Sequence, residues 1–172
     1  MCKDKFCQCP PGFTGDPFVS CNDNDSNSQQ KVVDCPNERN FRTINGACYL
    51  FINELKFNND AKILCKNKIA NGRPGHLVEP KTSVTNKLIN DEAKIIFGYE
   101  NNYYWIGLND IDNEGNWVYT STGLPATSTF FGPVIHTSNT NTYHNCVGTN
   151  GDTEAWFDAS CDRDRNKVIC EF

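Results

Sequence analysis

The chain has no apolar run of about 18 residues, the length a membrane-spanning helix needs. It opens Met1-Cys2-Lys3-Asp4-Lys5, without an apolar leader of the signal-peptide kind. Basic residues are scattered and the net charge is -5, so a phosphate-tracking face is absent and nucleic acid is not an expected partner. No nucleophile elbow or comparable motif brings Ser160, Asp158 and His144 together, so catalysis has no support. Histidine is scarce, with three in all. His136 and His144 share one loop but have no evident third ligand, so zinc is not expected.

Cysteine is abundant. Ten in 172 residues read as a disulfide framework built in an oxidising compartment, hence a secreted or extracellular protein. The missing leader is reconciled with this if the chain is a piece of a longer protein. The length suits one domain with a small appendage.

That appendage is residues 1–21. Pro10, Pro11, Gly12, Gly15 and Pro17 punctuate turns, and there is little apolar material for a core, so bridges must hold it. Cys7 and Cys9 could instead be a metal pair, but no second pair or nearby His completes a ligand set. Residues 22–34, rich in Asn, Asp, Ser and Gln, read as a solvated linker, and Asn24-Asp25-Ser26 is a glycosylation acceptor motif.

Residues 35–172 form the main domain. Asn45-Gly46 predicts a hairpin turn before Cys48-Tyr49-Leu50-Phe51. A first helix follows, capped by Asn58 or Asn59, with Ala61, Leu64, Cys65 and Ile69 on one face and Gly72 as its stop. A second helix fits Thr82 to about Phe97, with Val84, Leu88 and Ile95 inward and Gly98 ending it. Strands are expected at 103–108, 117–120, 145–148 and 167–171, which makes an α+β domain. Between the first two strands lies a turn rich in Asn, Asp and Gly. Trp105, Trp117 and Trp156 could line a ligand groove or belong to the core.

Trp105-Ile106-Gly107-Leu108, with Cys65 in a helix, Cys146 and Cys161 around Trp156-Phe157-Asp158, and the terminal Cys170-Glu171-Phe172, resembles a C-type lectin-like domain. Cys35 and Cys48 match the extra bridge of the family's long form. Cys7-x-Cys9, Pro-x-Gly-Phe-x-Gly and Cys21 resemble the second half of an EGF-like module, with Cys2 matching its third cysteine. The resemblance implies a C-type lectin-like fold: two helices with antiparallel sheets, a long loop and disulfide bridges, plus a small disulfide-rich EGF-like fragment. The implied pairing is Cys35–Cys48, Cys65–Cys170, Cys146–Cys161 and Cys9–Cys21, which leaves Cys2 and Cys7 without module partners.

Sugar-binding members of that family hold calcium in the long loop. Their ligands are a Glu-Pro-Asn or Gln-Pro-Asp triplet, a Glu before the Asn-Cys pair, and Trp-Asn-Asp; hard oxygens suit the ion and sugar hydroxyls complete its shell. In this sequence His136-Thr137-Ser138 stands at the triplet, His144 at the Glu and Phe157 at the Asn, leaving Asp158 alone. The usual calcium-dependent sugar site is therefore not expected. Asp110 and Glu114 match carboxylates of an auxiliary calcium site, but a turn whose carboxylate caps backbone donors is the preferred reading.

The loop itself is the remaining site. Phe130, Phe131, His136, Asn139, Asn141, Tyr143 and His144, with Asp158, mix rings and small polar groups suited to adaptable recognition. The Phe pair could equally anchor the loop to the core. The expected partner is a glycan or glycoprotein or, alternatively, another extracellular protein. No cofactor is expected, and calcium is not favoured.

Overall fold

The computed structural model describes residues 35–99, 102–132 and 143–172, with the backbone of four two-residue strands earlier in the chain. The chain divides into two compact units, Met1–Val32 and Val33–Phe172. In the first, β1 (Cys2–Lys3) pairs antiparallel with β2 (Phe6–Cys7), and β3 (Phe13–Thr14) pairs antiparallel with β4 (Asn22–Asp23). The expected Cys9–Cys21 bridge lies outside the described residues.

The second unit begins with a hairpin, β5 (Phe41–Ile44) and β6 (Ala47–Lys56). Asn45 and Gly46 both take positive φ, 48° and 77°, the twist that a two-residue hairpin turn demands. Then come α1 (Asn58–Lys66), β7 (Ile69–Ala70), β8 (Arg73–Pro74), β9 (His76–Leu77) and α2 (Ser83–Phe97). The remainder is strands: β10 (Tyr103–Asn109), β11 (Val118–Tyr119), β12 (Cys146–Asn150), β13 (Ala155–Ala159) and β14 (Asn166–Glu171). The main sheet runs β13-β12-β10-β14-β6-β5, with β11 on β10 and β9 on β14.

The sheet is mixed rather than purely antiparallel. β10 and β14 run parallel, Tyr104 opposite Lys167. Their long connection contains the loop and the β12–β13 hairpin, ample chain for the crossover a parallel pair needs.

Three disulfides fasten this unit: Cys35–Cys48, Cys65–Cys170 and Cys146–Cys161. Cys65–Cys170 ties α1 to β14 in a buried cluster with Leu77, Trp105 and Val168. A second cluster, around Phe51, Ile89, Tyr104, Ile106 and Trp156, fills the space between α2 and the sheet.

Both helices depart from the expected detail. α1 ends at Lys66, so Ile69 belongs to β7 and is exposed. Neither Asn58 nor Asn59 caps it. The cap position is Phe57, with no side-chain bond, and the backbone N–H of Asn58 is used by the Cys161 carbonyl at 3.1 Å. Gly72 instead serves the turn between β7 and β8.

In α2 the Thr82 hydroxyl accepts from the Thr85 N–H at 3.1 Å and Gly98 follows the last turn, as expected. Its inner face is not Val84, Leu88 and Ile95, which are exposed, but Asn86, Ile89, Asn90, Ala93 and Phe97. The two Asn can be buried because their amides are bonded. Asn86 Oδ1 accepts from Trp156 Nε1 at 3.0 Å, and Asn90 Oδ1 accepts from the Tyr104 hydroxyl at 2.8 Å. A buried amide with partners escapes the cost that hydropathy assigns it.

Gly107 shows how tightly β10 is seated. A Cβ there would lie 2.8 Å from the Leu77 carbonyl oxygen and 2.8 Å from Glu79 Cγ, and its own N–H donates to Val78 O at 2.8 Å. Gly107→Ala should therefore cost about 1–3 kcal/mol, the usual cost of overpacking. An unchanged melting temperature would mean that β10 can shift away from β9 freely.

Candidate functional site at the root of the long loop

β10 and β11 deliver the chain to one edge of the sheet, and β12 and β13 receive it back. The loop between β11 and β12 is fastened at two places. At its start, buried Glu79 accepts from the Ser121 N–H at 2.9 Å and the Ser121 hydroxyl at 2.6 Å. Glu171 in turn accepts from the Glu79 N–H at 2.9 Å, and burial raises the Glu171 carboxyl above its ordinary range. No periodic pattern marks Glu79; its carboxylate is recognisable as a loop anchor only once β9 and the loop root are adjacent.

The Phe pair makes the second anchorage. The Phe130 ring meets Trp156 edge-on with centroids 5.0 Å apart, and Phe131 packs against Trp117 at 5.1 Å and Trp156 at 6.1 Å. The backbone joins too: Trp156 N–H donates to Phe130 O and Gly132 N–H to Trp156 O. Trp105 and Trp156 are fully buried and Trp117 is half-buried, so the first two are core and the third is a loop seat.

Tyr143 lies at the far end of the loop, exposed, with the Arg163 guanidinium 5.1 Å from its ring centre. His144 Nδ1 is 3.5 Å from Asp158 Oδ2, and Asp158 is buried. His136, Asn139 and Asn141 lie outside the described residues. The Ser160 hydroxyl donates to Asp162 Oδ1 at 2.9 Å, and its N–H donates to Asp164 Oδ2 at 2.8 Å. Phe157 points to the other side of β13, against Tyr103 and Gly148.

Asp110 sits where β10 meets the turn. Its Oδ2 accepts from the Gly115 N–H at 2.8 Å, the capping role. Its Oδ1 and the Oδ1 of Asn145 are buried and have no hydrogen-bond partner among the described residues. Burial raises the Asp110 carboxyl, the Gly115 bond opposes this, and the charges of Glu114 and Asp158 add to the rise.

These residues do not fit the usual sugar-coordinating calcium. The ion requires six to eight oxygens. Phe157 places a ring where an amide would stand, and among the described residues no group of three or more His, Cys, Asp or Glu could hold a metal. Asp110 Oδ1 and Asn145 Oδ1 alone fall far short of the shell an ion requires.

The Asp110 shift has a testable sign. An acid that holds its proton more tightly when folded makes the fold lose stability as pH rises from the ordinary value of 3.8 to the raised native one; below that window the cost is absent. Asp110→Asn keeps an oxygen for Gly115. It should stabilise the chain at neutral pH, by a margin that vanishes as pH falls through the window in urea titrations. Destabilisation greatest at neutral pH would show that a cation holds the carboxylate charged.

Comparison with known proteins agrees with this architecture. Residues 54–172 match the profile described as Lectin C-type domain. Lectin BRA-3 of Megabalanus rosa is 30% identical, over 80% of this chain and 78% of that protein. Tetranectin of Mus musculus is 30% identical over 75% of this chain, which spans 61% of tetranectin. The crystal structure of C-type lectin CEL-I from Cucumaria echinata superposes with a TM-score of 0.69 at 22% identity, covering 80% of this chain and 96% of that one. The family profile, the Megabalanus rosa relative and the bridged two-helix fold lead to one assignment: the chain belongs to the C-type lectin domain family.

Proposed function

We propose that this chain is an extracellular recognition module that binds carbohydrate or glycoprotein ligands, in innate recognition or adhesion, without the family's usual calcium-dependent sugar site. The family consists of recognition modules rather than enzymes. The observation that carries the reading is the pair Phe157 and Asp158. The ring occupies the place of a calcium ligand and turns toward Tyr103, while the remaining carboxylate lies against His144. Recognition then falls to the loop surface. Phe130 and Phe131 hold it to Trp156, and Tyr143 and His144, the latter backed by buried Asp158, supply the contacts with His136, Asn139 and Asn141. Two relatives bear the name lectin, which favours sugar.

Residues 1–21 fit a partial EGF-like module bridged by Cys9–Cys21, residues 22–34 a linker, and residues 35–172 the lectin-like domain. An appended EGF-like unit favours the second reading, a protein-binding module of a matrix or receptor protein. A glycan array probed in calcium and again in chelator separates the two. Glycan binding that survives the chelator is the expected result. Binding that the chelator abolishes contradicts the proposal, and no glycan binding at all leaves the protein-binding reading.

A further inference from the structure

The residues that hydropathy would bury on α2 face solvent. Val84, Leu88 and Ile95 are 62%, 38% and 69% exposed. At 3.6 residues per turn they lie within about 40° of one another around the helix and form a stripe about 16 Å long. Isolated exposed apolar residues are ordinary, but a row of three on a rigid helix is a candidate contact surface. Asp91 lies within the stripe and Lys87 on its edge, paired to each other at 2.8 Å with both side chains largely exposed.

The order of these residues specifies a mate. Reading from Val84 to Ile95, the stripe is apolar, cationic, apolar, anionic, apolar. A half-turn about an axis at the level of Ile89 exchanges its ends and inverts its charges. Lys87 then meets Asp91 of the second copy, and Asp91 meets its Lys87. Val84 lies beside Ile95 of the second copy at each end, and the two Leu88 side chains meet near the axis. This is the self-complementarity that an isologous two-fold contact requires. The two intrachain ion pairs become a ring of four alternating charges. We infer that two copies of this chain dimerise through antiparallel α2 helices.

One helix stripe buries less than the roughly 800 Å² per partner of a standard stable interface, so the dimer is a weak one. Its effect is greatest where copies are already held close, because a second linked contact adds avidity.

The test is sedimentation equilibrium of the full, non-reduced chain from low micromolar to near-millimolar concentration. Wild type should shift reversibly from monomer to dimer. Val84→Glu and Ile95→Glu should each weaken dimerisation at least about tenfold. Lys87→Glu and Asp91→Lys should each weaken it similarly, and the double charge swap should recover most of the loss. Melting temperatures near wild type confirm that the exposed substitutions leave the fold intact. A monomer at every concentration overturns the inference, including one whose stripe binds lipid vesicles or another protein. So does a dimer unmoved by Val84→Glu, or a double swap no better than either single change.

Discussion

Replacing both Cys65 and Cys170 by Ala is expected to remove about 4–5 kcal/mol of stability. The two cysteines are 105 residues apart, and in the chain-entropy model a loop of roughly 100 residues gives about 4.7 kcal/mol. At this size that corresponds to a fall in melting temperature of about 10–20 °C. Both cysteines are fully buried, so the bridge also holds α1 against β14. The Cys35–Cys48 bridge, whose separation is 13, closes a shorter loop, and its removal should cost about 3 kcal/mol. Thermal melts of the two double variants check the order. Equal or reversed losses would mean that the connection between α1 and β14 persists in the unfolded ensemble without the bridge.

Trp156→Ala should have a comparable effect, about 3–5 kcal/mol for truncating a buried Trp. The indole is fully buried, supports both Phe130 and Phe131, and donates to Asn86 Oδ1. Its loss therefore opens a cavity, orphans a buried amide on α2 and releases the loop at Phe130 and Phe131. Trp156→Phe keeps most of the packing and removes the hydrogen bond, costing about 1–3 kcal/mol. Limited proteolysis distinguishes the roles: Trp156→Ala should expose the segment after Thr120 to cleavage, and Trp156→Phe should not. Equal protection in both would show that the loop does not depend on this ring.

Much of the architecture was legible because local and long-range signals coincide. Asn45-Gly46 can adopt the positive φ of a hairpin, and Thr82 and Gly98 bound α2 by ordinary capping chemistry. The order of the cysteines, through the family resemblance, implied the three bridges that join residues 35–170. The interior of α2 was misread because hydropathy treats Asn86 and Asn90 as solvent-seeking, whereas Trp156 and Tyr104 supply their partners from far along the chain. β13 escaped the strand expectation for a related reason. Its pairing with β12 and the bridge at Cys146–Cys161 hold a segment with little alternating pattern. At the site, the substitutions at His144 and Phe157 were readable position by position. The fastening of the loop by Glu79 was not, because it depends on β9 and Ser121 meeting in space.

Calcium dependence of the full chain's melting temperature tests the central claim independently of any ligand's identity. An ion that binds only the folded state adds RT ln(1 + [L]/Kd), or about 2.7 kcal/mol at 100 times its Kd. With Phe157 in the ligand position and two orphan oxygens in place of a full shell, the melting temperature should be the same in millimolar calcium and in chelator. A clear rise in calcium, abolished by Asp158→Ala, would contradict the account by revealing a rebuilt sugar site. A rise abolished by Asp110→Ala or Glu114→Ala would instead place the ion at the auxiliary position.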